Sequence, residues 1–364
     1  TRLNIGFKAE KYNFRLSLQD VRVWGESRTK SDIAGFMLHE AWGEIRCSDH
    51  FTVKAGRQVL SYDDQRLLSE TNWNNVASSH DLLLLKYSAV TKVHLGLAYN
   101  NDKEKYAESN YPVEFYKSLG YLWISKEPVK NLTASFITIA DGNQKSGSES
   151  TIYLRSTSGL YVSCKSDSIP VSCILSGYYQ YGKDITGINI SAYLATLKMQ
   201  YRIVKPLEVF AGADYFSGNN ETKTGDNHNR AFSNLYGSGH RFLGNMDYFT
   251  TADTHTKGGG LADCFTGFGL MAHKAVKVSL TWHYFQLTGK LIDTVASGSM
   301  QTFSSRLGHE MDIVFDFRIN EATNLQLGYC ILQGTETMQY LKGGDRKLLN
   351  HWGYAMLVFK PDFL

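Results

Sequence analysis

The sequence predicts an all-β chain: an antiparallel transmembrane β-barrel of about eighteen strands, with short periplasmic turns and long extracellular loops. Three observations point there. Segment after segment alternates apolar with polar residues at a period of two, and connections alternate between short and long. No run approaches the ~20 apolar residues of a membrane helix.

The period is plainest in Met311-Asp312-Ile313-Val314-Phe315-Asp316-Phe317-Arg318-Ile319, whose odd positions are large and apolar while Asp312, Asp316 and Arg318 fall between them. Val93–Tyr99, Val278–Tyr284 and Leu325–Tyr329 alternate likewise. Many strands of this kind require one long apolar face and one wet face, which a barrel in lipid with a watery lumen supplies.

In order, strands are expected near Leu3–Lys11, Phe14–Trp24, Phe36–Cys47, Phe51–Gln58, His80–Tyr87, Val93–Asn100, Phe115–Ser125 and Leu132–Ala140. They continue near Ile152–Cys164, Ser172–Tyr181, Ile188–Arg202, Glu208–Phe216, Gly259–His273, Val278–Leu287, Ser305–Ile319, Leu325–Gln333 and Leu348–Phe359. That is about seventeen strands, each able to supply the roughly 9–11 residues of a crossing. Parity then asks for one more strand before Thr1, where the chain starts without a methionine. Alternation slips at Gln19–Arg22 and near Gly56-Arg57, so a bulge is expected at each.

Composition agrees. The 22 tyrosines suit an interfacial girdle, and a formal charge of +3 without a Lys/Arg cluster argues against nucleic acid. Five cysteines occur; Cys164 and Cys173 flank one turn and read equally as a candidate disulfide or as two small residues in facing strands. No nucleophile elbow or Ser/His/Asp order stands out, so no catalysis is expected, and neither cofactor nor metal.

The whole of 1–364 reads as a single barrel. Within it, 218–257 forms a long extracellular loop too aromatic for a solvated tail, expected to fold toward the lumen. Its constriction residues would be Tyr236, His240, Arg241, Phe242 and Tyr248. Alternation alone places Lys198, Gln200 and Arg202 on the wet face, opposite Leu197, Met199, Tyr201 and Ile203. It turns Glu40, Glu44, Glu310, Asp312 and Asp316 inward, with Arg46 and Arg318 able to pair with these acids.

Several blocks resemble the alginate-export family of outer-membrane β-barrels: Gln19–Gly25, His39-Glu40-Ala41-Trp42, Gly56-Arg57-Gln58, Tyr62–Leu67, His80-Asp81 and Leu235–Phe249. The resemblance runs through essentially the whole chain. It implies eighteen strands, inward-folded loops, and a lumen of arginines and lysines passing an anionic polysaccharide. Residue by residue it nominates Arg22, Arg57, Arg66 and Asp64 as lumen residues. After His80-Asp81 the family tends to alternate basic with apolar residues, whereas this chain has four leucines and then only Lys86. That departure favours a broader channel for small or oligomeric anionic solutes.

The expected function is therefore a passive outer-membrane channel for anionic or oligosaccharide-type solutes, selecting by lumen charge and loop constriction. Its partners would be outer-membrane lipid and an anionic or carbohydrate solute. The alternative is a loop-plugged structural or docking barrel with an outer-membrane protein partner.

Overall fold

The computed structural model describes residues 1–23, 35–73, 76–101, 116–145, 148–166, 169–223, 225–293 and 301–362. Eighteen strands form one sheet. The first half comprises β1 (Arg2–Lys8), β2 (Tyr12–Asp20), β3 (Phe36–Arg46), β4 (Phe51–Gln58), β5 (His80–Ser88), β6 (Thr91–Tyr99), β7 (Ser118–Val129), β8 (Leu132–Lys145) and β9 (Ser148–Lys165). The second comprises β10 (Val171–Lys183), β11 (Asn189–Val204), β12 (Leu207–Phe216), β13 (His228–Asn229), β14 (Leu261–His273), β15 (Val276–Gln286), β16 (Arg306–Arg318), β17 (Thr323–Gly334) and β18 (Asn350–Phe359).

Each long strand pairs antiparallel with its neighbours in the chain, β12 pairing with β14, while the two-residue β13 adds a parallel bridge to the start of β11. Apart from β13 the strands correspond one for one to those expected. Among the described residues β1 pairs only with β2, and β18 only with β17.

The two faces separate as the period requires. On β11, Leu197, Met199, Tyr201 and Ile203 are about half exposed, whereas Ile190, Ala192, Leu194 and Thr196 are buried. Such an outward apolar face is stable in lipid and costly in water. The core lies inside the lumen, on the long-loop side. Leu60, Leu67, Leu68, Phe232, Leu243 and Phe249 come from connections and pack on inward residues such as Ile139, Leu194, Phe285 and Leu332.

Three features depart from expectation. β8 and β9 run 14 and 18 residues and are linked through 146–147, so no long connection separates them. Their register continues past the bilayer through Asn143↔Tyr153, and Arg155 bonds Asp141 at 2.7 Å. Beyond the lipid, polar residues on either face are no obstacle to pairing. The helix Glu336–Lys342 was not expected; Thr335 caps it, accepting the Met338 N–H. The first bulge lies earlier than expected, where Ser17 and Leu18 face Glu40 and Leu38 and leave His39 extra. At Gly56 the register holds but φ is +115°, under the Ala41 carbonyl that a Cβ would strike. Trp24 of the second expected strand lies outside the described residues; β2 ends at Asp20.

Candidate functional site

Two connections fold into the lumen and are knitted together. The segment after β4 (59–79) and the segment between β12 and β14 (217–260) meet in a short parallel pairing at Leu68 and Tyr236. Tyr236 N donates to the Leu67 carbonyl, Ser69 N to the Tyr236 carbonyl, and Ser238 N to the Gln65 carbonyl, each at 3.1 Å. These bonds satisfy backbone groups that would otherwise stand unpaired among apolar side chains.

Each segment is also tied to the wall. Asp63, with φ at 53°, accepts from Trp123 Nε1 (3.0 Å, β7) and from Ser135 Oγ (2.6 Å, β8). Tyr62 Oη meets Tyr121 Oη and His94 Nδ1. On the other side Asn245 N donates to Asp312 (3.0 Å) and Met246 N to Glu310 (2.8 Å), both on β16. Tyr236 sits edge-on to His80 and Tyr116, and its hydroxyl donates to Asp141.

Arg66 is the central node. Its guanidinium, nearly inaccessible, bonds Asp64 at 2.9 Å and Asp214 of β12 at 2.9 Å, and lies 3.9 Å over the Phe242 ring. Burial by itself would weaken its hold on the proton, but the two carboxylates outweigh burial and raise its pKa, so the charge stays. Burial pushes the neighbouring Asp63 carboxyl upward, against the hydrogen bonds from Ser135 and Trp123.

Beneath these loops lies a cavity of about 570 Å³. Arg66, Trp73, His240, Arg241, Phe242 and Asn245 form its roof; Lys198, Phe210, Phe265, Asp312, Asp316, Gln326 and Tyr354 stand on its walls. His240 is stacked on Trp73 (centroids 3.4 Å apart) and bonds Asp247 at 2.6 Å. Arg241 is exposed to the lumen, and neither it nor Lys198 forms an ion pair with a described residue. Of the cavity's carboxylates, Asp64 is held by Arg66 and Asp312 by a backbone N–H, Asp316 accepts from Gln326, and Glu70 forms no ion pair with a described residue.

Of the nominated lumen residues, Asp64, Arg66, Lys198, His240, Arg241 and Phe242 share this cavity. Others are brought elsewhere. Arg57 faces the opposite side of the sheet and pairs with the exposed Asp81 at 2.7 Å, so it is not a lumen residue; the unbroken register beside the buried Gln58 and Leu82 puts it at outward parity. Arg22 pairs with Asp20 just beyond β2, away from the cavity. Glu40 pairs with Arg15, and Glu44 with Lys86, as inward wall pairs. Arg202 lies near the short turn with Gln200 and Glu208. Arg46 and Arg318 are exposed at the short-turn end and pair with none of the inward acids, contrary to expectation. Tyr236 and Tyr248 pack on the loop core and do not line the cavity.

Sequence reasoning missed Trp73, Asp63 and Asp214. Asp214 carried one usable signal, an acid at inward parity among the small residues Ala211, Gly212 and Ala213. Trp73 carried none, because its position depends on a fold-back that alternation does not encode.

Cys164 and Cys173 are direct register partners on β9 and β10, and both thiols are free. Facing residues of an antiparallel pair are close enough for a disulfide. A mild thiol oxidant is expected to link them, removing both from alkylation with a mass loss of about 2 Da relative to the dithiol. Continued labelling of both after oxidation would refute this.

A family model described as alginate export matches residues 4–348. Among solved structures, Pseudomonas aeruginosa OpdL is similar, with a TM-score of 0.59 and 11% identity over 98% of this chain and 91% of that one. Acinetobacter baumannii OccAB1 gives 0.62 and 12%, over 98% and 88%. P. aeruginosa OpdK with vanillate gives 0.60 and 9%, over 99% and 90%. No curated protein sequence matches the chain.

Proposed function

The chain belongs to the alginate-export family, and from that premise we propose that it is a passive channel for small or oligomeric anionic solutes, selecting them at the loop-built constriction. The family and the structural neighbours make it a porin-type β-barrel of the outer membrane.

One observation carries the anionic reading. Two cations, Lys198 and Arg241, face the same cavity without a carboxylate partner among the described residues, beside the rings of Phe210, Phe242 and Phe265. A guanidinium keeps its charge at any working pH and can bind a carboxylate through two parallel hydrogen bonds. The rings add apolar contact for an aromatic or sugar face. The similar OpdK structure carries vanillate, so a small aromatic carboxylate is a natural first solute to test.

In planar bilayers at low salt the barrel is expected to prefer anions. Lys198→Ala with Arg241→Ala should bring the anion-to-cation permeability ratio from severalfold toward ~1, a change on the scale of removing two lumen charges. An unchanged reversal potential would count against the proposal, as would cation preference in the unaltered protein.

A second reading draws on the apolar core inside the lumen, where Phe232, Leu243 and Phe249 are fully buried. Such packing also suits a barrel closed by its own loops and serving as a docking element. Absence of any ion current from the intact barrel would favour that reading.

A further inference from the structure

The short-turn end of the sheet is basic in a way that neither the lumen nor the chain as a whole is. Its turns and flanking strand ends carry twelve exposed lysines and arginines against five exposed acidic residues among the described residues. That excess is larger than the formal charge of the entire chain, +3. The long connections at the other end carry the two signs in nearly equal numbers.

The cations recur at successive turns, with Lys11, Arg46, Lys92, Lys126, Lys205 and Lys274 each on a different one. None of these six joins an ion pair with a described residue; the pairs among the described residues lie on the strands and in the long loops. Exposed apolar residues stand directly beside them: Tyr12 next to Lys11, Ile45 next to Arg46, and Val204 next to Lys205. The end of the apolar belt marks where acyl chains give way to headgroups, and interfacial tyrosines sit at that depth. The ring of charge therefore lies level with lipid phosphates, not out in bulk water.

We propose that this ring binds the headgroups of anionic phospholipids in the periplasmic leaflet, selecting them over zwitterionic lipids around the barrel. Single basic residues near a charged membrane surface add up when several act together, and the effect is screened by salt. The inference rests on outer-membrane placement and is independent of which solute passes the lumen.

The test uses the reconstituted barrel with spin-labelled phosphatidylglycerol or phosphatidylcholine, reading the protein-immobilised fraction of each. At low salt, phosphatidylglycerol is expected to associate about three- to tenfold more strongly, and the preference should fade by roughly 0.5 M salt. Replacing the six cations (Lys11→Gln, Arg46→Gln, Lys92→Gln, Lys126→Gln, Lys205→Gln and Lys274→Gln) should remove most of it. Equal association of the two lipids in the unaltered protein overturns the proposal. So does a preference that survives high salt, a measurement that needs no variant. If the lipids associate equally while the six-fold variant shifts anion permeability, the ring steers solutes instead, and the lipid proposal fails.

Discussion

Arg66→Ala is expected to raise single-channel conductance severalfold and to expose the 59–79 segment to protease, while the strands remain assembled. Arg66 holds Asp64 of its own loop and Asp214 of the wall, with both carboxylates buried. Removing it leaves two buried charges without a counter-ion, a loss on the order of 3–5 kcal/mol for a broken buried pair. The loop can escape that cost by leaving the lumen, so the loss is felt as local opening instead of global unfolding. Arg66→Lys, which keeps charge but not the fork that spans both acids, should lie between. If conductance and protease sensitivity are both unchanged in the alanine variant, Arg66 is not the node that holds the loop.

Gly237→Val should act on the same lock from the other strand of the loop pair. A Cβ at position 237 would strike the Arg66 carbonyl, a backbone atom that cannot swing away. Crowding of this kind costs about 1–3 kcal/mol in a packed interior, and the pairing at Leu68 and Tyr236 is the contact nearest to it. The expected result is noisy, larger openings in single-channel records, with the heat-stability of the barrel little altered. Quiet traces with unaltered conductance would show that the loops tolerate the intrusion and that their pairing does not set the pore.

Much of the wall was legible because period-two alternation is dictated by the two solvents it separates. Leu197, Met199, Tyr201 and Ile203 could face only lipid once Lys198 and Gln200 faced water, and the structure keeps that division. Arg57 was misplaced by the family resemblance; alternation groups it with Phe51, Val53 and Ala55 on the outward face, where the structure pairs it with Asp81. The site was partly legible: Asp64 and Arg66 came from a family resemblance, and His240, Arg241 and Phe242 from composition within a long segment. How those two segments would meet was not. A parallel pairing of three backbone hydrogen bonds leaves no periodic trace, and Asp214 announces its partner only once both segments are in the lumen.

That loop pairing has a consequence in time. Leu68 and Tyr236 belong to connections separated by eight of the long strands, and each connection is anchored to wall residues on strands that do not adjoin it. Contacts of such sequence separation form late, because the chain between them must first be ordered. The wall therefore assembles before the lock, and each newly inserted molecule passes through a stage in which its lumen is wider than in the finished protein.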